Sequence, residues 1–316
     1  MMGCIPFFHS IVIKFFLSPF RDGVKQKKFL LKCNFEIHPI HPDESGLNID
    51  IRDKMLLLGK MLLLDILFSL PIVLLTGLIH NNLFRLDEIV IDESLGFIFI
   101  MFVIVGPFFE ELIFRLPLKY KRNYLVKMIN EFTNDWIYNR WHYIFKYFLY
   151  IMIVVFGLIH LGNYNNDEPI FYLLSPVIVG SQRLGGIVLS YCRIKLVFWW
   201  AVLQHGLFNL FVTIVVFLFY HNCSLVSKSS EKTNLEITEL IYIDKETSCY
   251  SWTKKDSLIY SIDAVNISLY QFMDSLQSEG PKPYDNTWIN GTFVSKDGST
   301  KSEIIEIIKA QVKFEE

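Results

Sequence analysis

The run Gly106-Pro107-Phe108-Phe109-Glu110-Glu111-Leu112-Ile113-Phe114-Arg115 sets two adjacent carboxylates and a guanidinium inside a stretch otherwise apolar enough to lie in a bilayer. Ionised groups at such depth are costly, and they mark function more often than packing. Pro107 suits the first turn of a helix but not its interior, so the sequence predicts a break there and a fresh helix carrying the charges. On that helix Glu111 and Arg115 are four apart and share a face. Glu110 is rotated from its neighbour by about 100°. Glu111 is then neutralised by Arg115, and Glu110 is free to meet a group from another helix.

Two later apolar segments each bring a histidine: Phe156-Gly157-Leu158-Ile159-His160 and His205-Gly206-Leu207-Phe208-Asn209. In the second, His205 and Asn209 are again four apart and point the same way. A carboxylate beside an imidazole can take a proton from water. An imidazole N–H with a carboxamide N–H can hold a developing oxyanion, and the two pairs together are the minimum kit for hydrolysing an amide. Taken singly, an intramembrane histidine is as often a hydrogen-bond donor between helices, and Glu111 with Arg115 can be a purely structural pair.

Glu110-Glu111-x-x-x-Arg115, Phe156-x-x-x-His160 and His205-x-x-x-Asn209, in this order and on separate hydrophobic segments, resemble the CPBP intramembrane protease family, which includes the C-a-a-X prenyl protease type two and the bacterial Abi proteins. The resemblance runs over roughly residues 94 to 215. Gln182, Gly185, Gly186 and Arg193 look like the family's Gln-and-glycine helix with a basic residue at its end. It implies that Glu110 and His160 activate water, that His205 and Asn209 form the oxyanion side, and that Glu111 and Arg115 support them. Many members have a glycine after the Phe-Arg of the first motif, where this chain has Leu116-Pro117. Glu110, His160 and His205 are also zinc-ligand types, and catalytic zinc takes three protein ligands plus water. The helical H-E-x-x-H of soluble metalloproteases is absent, and the resemblance points to glutamate-activated water. No cofactor is therefore favoured, with zinc on those three residues as the other route.

These groups need membrane helices to hold them. The chain has 316 residues, 52% of them hydrophobic and 16% aromatic, and a mean hydropathy of +0.35. That is too apolar for an ordinary soluble protein. A formal net charge of -2 gives no basic face for nucleic acid. Apolar runs predict five spans, at about 55–79, 94–118, 141–161, 169–191 and 196–220, with Asp65 in the first as the one awkward charge, expected to be partnered inside the bundle. Residues 11–17, with Phe7 and Phe8 before them, are too short to span and are expected to form an interfacial helix. Lysine and arginine put residues 1–54, 119–140 and 193–195 on the cytoplasmic side. The stretches 80–93 and 162–168 and the tail then lie outside.

Counted along straight spans, Glu110 and His160 sit at different depths and miss each other. They meet if the helix restarts at Pro107 and runs on through Leu116 to Met128, which makes 94–105 a separate short helix or a span bent back.

Residues 222–316 are polar. Alternation at Leu235 to Leu240 and a run at 257–269 predict strands, and Glu303 to Val312 predicts a helix. Gly280-Pro281 and Asp297-Gly298 predict turns. None of the five cysteines has a C-x-x-C spacing, and Cys223 and Cys249 are candidates for a bridge in the tail.

The expected architecture is an all-α polytopic membrane helix bundle with a small α+β extramembrane C-terminal domain. Its parts are a polar N-terminal region (1–54), a transmembrane protease domain (55–221) and a soluble domain of unassigned role (222–316). The expected activity is that of an intramembrane endopeptidase acting on a membrane-anchored peptide or protein in the lipid bilayer of a bacterial inner membrane. The alternatives are a non-catalytic scaffold or immunity protein and a proton-coupled transporter.

Overall fold

A computed structural model describes residues 49–87, 93–241, 247–277, 283, 287–312 and 314. The interfacial helix expected at 11–17 and the turn expected at Gly280-Pro281 lie outside the described residues. The chain divides into two compact units: the described residues of Met1–Ile89 with Phe102–Asn209, and those of Val90–Met101 with Leu210–Glu316.

Five helical stretches are long and apolar enough to cross a membrane, and they make this an integral membrane protein. The first is α1 (Ile51–Asn82), 32 residues with Pro71 inside. Leu63, Leu67, Leu70, Val73, Leu74 and Leu78 on it are exposed, as side chains meant for lipid are.

The second span holds α2 (Leu95–Phe99), a π-helix (Ile100–Val105) and α3 (Gly106–Phe114), ending in a 3-10 turn at Leu116–Leu118. The expected break before Pro107 is absent, and 94–105 is neither a separate helix nor bent back. Val105 is helical at φ -72 and ψ -50, and the chain enters α3 without leaving helical conformation. A proline inside an α-helix lacks an N–H and crowds the carbonyl four residues back, which here is Val103. The wide π turn directly before it absorbs that misfit.

The helix also does not run on to Met128. It stops at Arg115, because Pro117 disfavours helical conformation in the residue before it. Two 3-10 turns, the second at Tyr120–Arg122, then lead into α4 (Tyr124–Phe132). Leu125, Met128, Ile129 and Phe132 on α4 share one face and are exposed, the pattern of a helix lying at a membrane interface.

The third span is α5 (Trp136–Ile159) with a 3-10 turn at His160–Asn163. It packs antiparallel to α3, with the rings of Phe114 and Phe156 5.3 Å apart. The start of α5 packs elsewhere: Trp141, Phe145 and Leu149 form a core with Leu118 and Tyr120. The depth mismatch disappears for this reason. The first turns of α5 lie beside the chain that follows α3, so its far end reaches the level of Glu110.

The fourth span is split at Val179 into α6 (Pro169–Ile178) and α7 (Gly180–Lys195). Glycines bring α7 close to its neighbours. A Cβ on Gly180 would lie 3.0 Å from Ile72 of α1, and one on Gly186 would lie 3.3 Å from the Phe156 ring and 3.4 Å from Arg115 Nη2. The fifth span is α8 (Phe198–Tyr220).

The second unit carries an antiparallel sheet of β1 (Cys223–Ser229), β2 (Thr233–Leu240), β3 (Cys249–Lys255), β4 (Leu258–Ser268) and β5 (Trp288–Ser299), in the order β1-β2-β5-β4-β3. Helices α9 (Leu269–Leu276) and α10 (Lys301–Lys309) each start at a capping box, on Ser268 and Thr300. They share one core with Leu235, Ile237, Ile262 and Phe293 of the sheet. The strands expected at 235–240 and 257–269 and the helix at 303–312 are present. Asp297-Gly298 is not a hairpin turn. It lies within β5 where the register against β4 shifts, and Gly298 takes a φ of 79°. Cys223 and Cys249 are free thiols. Their strands are the two edges of a five-stranded sheet, four spacings or about 19 Å apart, far beyond disulfide reach.

A Cβ on Gly206 of α8 would lie 2.8 Å from the Val103 carbonyl oxygen, whereas one on Gly59 of α1 would meet nothing within 4 Å. Gly206→Ala should therefore destabilise the detergent-solubilised protein by about 1–3 kcal/mol. Gly59→Ala should leave it unchanged or raise its stability by up to about 1 kcal/mol. Thermal unfolding of the two variants side by side checks both.

Candidate active site

Glu111 is the most buried charge of the bundle, with a side-chain exposure of 0%. Its Oε1 is 3.5 Å from Arg115 Nη1, one turn along α3, and 3.1 Å from His205 Nδ1 of α8. A carboxylate removed from water needs partners on more than one side, and α3 alone supplies one of them. The Arg115 guanidinium lies over the Phe156 ring at 3.8 Å, a cation–π contact that favours a planar cation in a dry place. The sequence pairing of Glu111 with Arg115 is present, and His205 joins it.

Arg193 of α7 closes the lower end of the site. Its Nε donates to the Arg115 carbonyl at 2.9 Å and its Nη2 to the Leu116 carbonyl at 3.3 Å. These carbonyls follow the end of α3, where α-helical donors run out, and that of Arg115 also accepts from the Leu118 N–H at 3.2 Å. A cation there also suits the helix dipole.

Glu110 points away from this pair. Its Oε2 is 4.0 Å from His160 Nε2 and 3.7 Å from His205 Nε2. The oxygen is buried and has no hydrogen-bond partner among the described residues. His160 sits where α5 tightens into a 3-10 turn, and its Nδ1 lies 2.7 Å from the Phe156 carbonyl oxygen. A carbonyl only accepts, so Nδ1 carries the proton, and in the neutral ring Nε2 is an acceptor facing the carboxylate. Two facing acceptors call for a shared donor between them, and the oxygen and nitrogen are 4.0 Å apart, too far for a direct hydrogen bond.

The residues also allow a test against zinc. At metal–ligand distances of about 2.0–2.1 Å, two ligands of a tetrahedral zinc sit about 3.4 Å apart. The pairs here are wider, and among the described residues no three His, Cys, Asp or Glu groups form a metal-holding set.

Asn209 has a different setting from the histidines. Its Nδ2 donates to the Phe102 carbonyl at 2.8 Å. Pro107 has no N–H, and the carbonyls five and four residues before it are those of Phe102 and Val103. Asn209 meets the first, and Gly206, lacking a Cβ, lets α8 come up to the second. The spacing of His205, Gly206 and Asn209 is thus tied to Pro107.

Glu110, Glu111, Arg115, His160 and His205 are brought together from three helices, with Asn209 one turn further along α8. Two residues beside them are not recognisable from motif spacing. Asp65 of α1 is fully buried, within 3.7 Å of where a Gly185 Cβ would be, and it feels the charges of His205 and Arg115. Gln204 is fully buried beside His205, and its amide fits between the Leu58 carbonyl and the Leu62 N–H of α1, 3.2 Å from each. Asp65 stands out in the sequence as a charge in an apolar run. Gln204 gives no such sign.

Residues 92–211 match the family model described as type II CAAX prenyl endopeptidase, Rce1-like. The matched segment contains all three motifs and nearly coincides with the stretch that resembles CPBP proteases. No curated protein and no solved structure matches the chain.

Removing Arg115 leaves Glu111 a buried charge with one partner fewer. Arg115→Met should cost about 3–5 kcal/mol of stability. Adding Glu111→Gln should recover part of that loss, because the stranded charge goes with it. A double-mutant cycle on thermal unfolding measures the coupling.

Proposed function

We propose that the chain, whose residues 92–211 match the model of type II CAAX prenyl endopeptidases, is an intramembrane endopeptidase that hydrolyses a peptide bond of a membrane-anchored peptide or protein. One observation carries the reading: the buried, unpartnered Glu110 Oε2 between the Nε2 atoms of His160 and His205. Asp65 and Glu111 also carry an oxygen without a hydrogen-bond partner among the described residues, but their side chains are closed off, whereas that of Glu110 is 31% exposed. This one is placed for a ligand that gives protons and takes one back.

Water fills that role. Held by one O–H to Glu110 and the other to His160 Nε2, it turns a lone pair outward toward a substrate carbonyl. On attack the water oxygen bonds to the carbonyl carbon, its proton passes to Glu110, and the carbonyl π pair becomes the oxyanion. His205, its Nδ1–H held by Glu111, is in its imidazolium form and gives an Nε2–H to the oxyanion, with Asn209 one turn further along α8 on the same side. When the tetrahedral species collapses, the C–N bond breaks and Glu110 returns its proton to the leaving amine. Glu111 and Arg115 act as support, orienting His205. No metal enters these steps.

The same reading sets the protein in a bacterial inner membrane. Its N-terminus and the basic stretches 119–140 and 193–195 are cytoplasmic, and the sheet domain is extramembrane, on the outer side.

Glu110→Gln should lower cleavage of a mixture of membrane-anchored peptides by about a hundredfold to ten-thousandfold. Equal cleavage by wild type and variant, or by neither, removes the enzyme reading. Activity should also survive exhaustive chelation, and its loss with recovery on adding zinc would overturn the metal-free route.

A further inference from the structure

Three arginines occupy the bundle around the site, and two are accounted for. Arg115 is paired with Glu111 and lies over Phe156. Arg193 binds the carbonyls that end α3. The third, Arg183 of α7, has no side-chain hydrogen bond, ion pair or aromatic partner among the described residues, and its Nε is buried.

Its direction is clear from its packing. A Cβ on Gly157 of α5 would lie 2.5 Å from Arg183 Cγ and 3.1 Å from its Nε. The side chain therefore crosses the bare backbone of the histidine helix, one turn before His160. Gly186, one turn further along α7, sits on Phe156 and Ile153. Arg183 is thus on the face of α7 that meets α5, in step with the face that carries His160.

Neither the helix nor the membrane explains a cation here. Arg183 lies in the first turn of α7, where the helix dipole disfavours positive charge. An unpaired guanidinium within a span costs several kcal/mol unless an anion meets it. Guanidinium is also the side chain best matched to a carboxylate, through two parallel N–H···O bonds.

We propose that Arg183 is a specificity-determining residue that binds a carboxylate of the substrate, seating it beside the Glu110–His160 pair. This rests on the protease reading above. It assigns the substrate a negative charge close to the cleaved bond, from either a free chain terminus or an acidic side chain.

The test reads binding, so it does not depend on turnover. Full-length Glu110→Gln protein in phosphatidylcholine vesicles is titrated with short N-palmitoylated peptides in three forms. These have a free C-terminal acid, a C-terminal amide, or a C-terminal amide with an aspartate in place of an asparagine near that end. A carboxylate form should bind about tenfold to a hundredfold tighter than its neutral counterpart. A preference for the free acid identifies the terminus as the source, and a preference for the aspartate form identifies a side chain. Arg183→Gln should abolish the preference and leave binding of the neutral amide unchanged, whereas Arg183→Lys should keep part of it. Equal binding of charged and neutral peptides would overturn the proposal without recourse to any variant, even if Arg183→Gln fails to fold. A preference that vanishes when phosphatidylglycerol is added would assign Arg183 to a lipid phosphate and overturn it as well. Absence of cleavage by wild type would sink the protease reading alone, since the binding preference is measured separately.

Discussion

A single carboxylate with no access to water governs this bundle. Glu111 cannot stay ionised at its depth without cationic or hydrogen-bonding neighbours on at least two sides. Arg115 comes from its own helix, and His205 has to come from another. That requirement fixes the rotation of α8 against α3, and the rest of the site follows from it. Once His205 Nδ1 is held by Glu111, its other nitrogen has one direction left, toward Glu110. The supporting pair and the proposed catalytic pair thus share one imidazole, and the adjacent glutamates differ in role because a helix turns neighbouring residues to different faces.

Small residues are the second condition. Gly157, Gly186 and Gly206 each occupy a point where a side chain would strike a functional group or a backbone carbonyl: Arg183, Arg115 with Phe156, and the Val103 oxygen respectively. Within a bilayer there is no hydrophobic drive to press helices together, so close approach depends on such residues. Here they bring polar groups from α3, α5, α7 and α8 within reach of one another.

Much of this was legible before any coordinates. The five spans, the facing of Glu111 and Arg115, and the strands and last helix of the tail follow from spacing and periodicity, whereas the meeting of Glu110 with the histidines is expected from the ordered motifs and the family they resemble, against the depths that spacing gives. The course of the chain around Pro107 did not follow. A proline in an apolar run reads as a break, and nothing in Ile100 to Val105 declares the π turn that lets the helix run on through it. Counting residues from span ends also misplaced His160, since the first turns of α5 have a separate partner in the Leu118–Tyr120 segment. Gln204 and Arg183 gained their meaning only from what lies beside them, or fails to. The suggested bridge between Cys223 and Cys249 failed because strand order, which sequence does not reveal, puts those residues on opposite edges.

The π turn has one more implication. A wide turn of this kind holds an extra residue relative to a regular helix, so everything after it is rotated by about 100° from where an uninterrupted helix would put it. The lipid-facing phenylalanines before it and the carboxylates after it are therefore phased to different frames. Losing one residue between Ile100 and Val105 would restore an unbroken helix, a better one by local criteria, and would swing the acidic pair out of its setting. The length of this stretch is then under tighter constraint than its composition. Exchange of one aliphatic side chain for another is tolerable there, while a change in the number of residues is not.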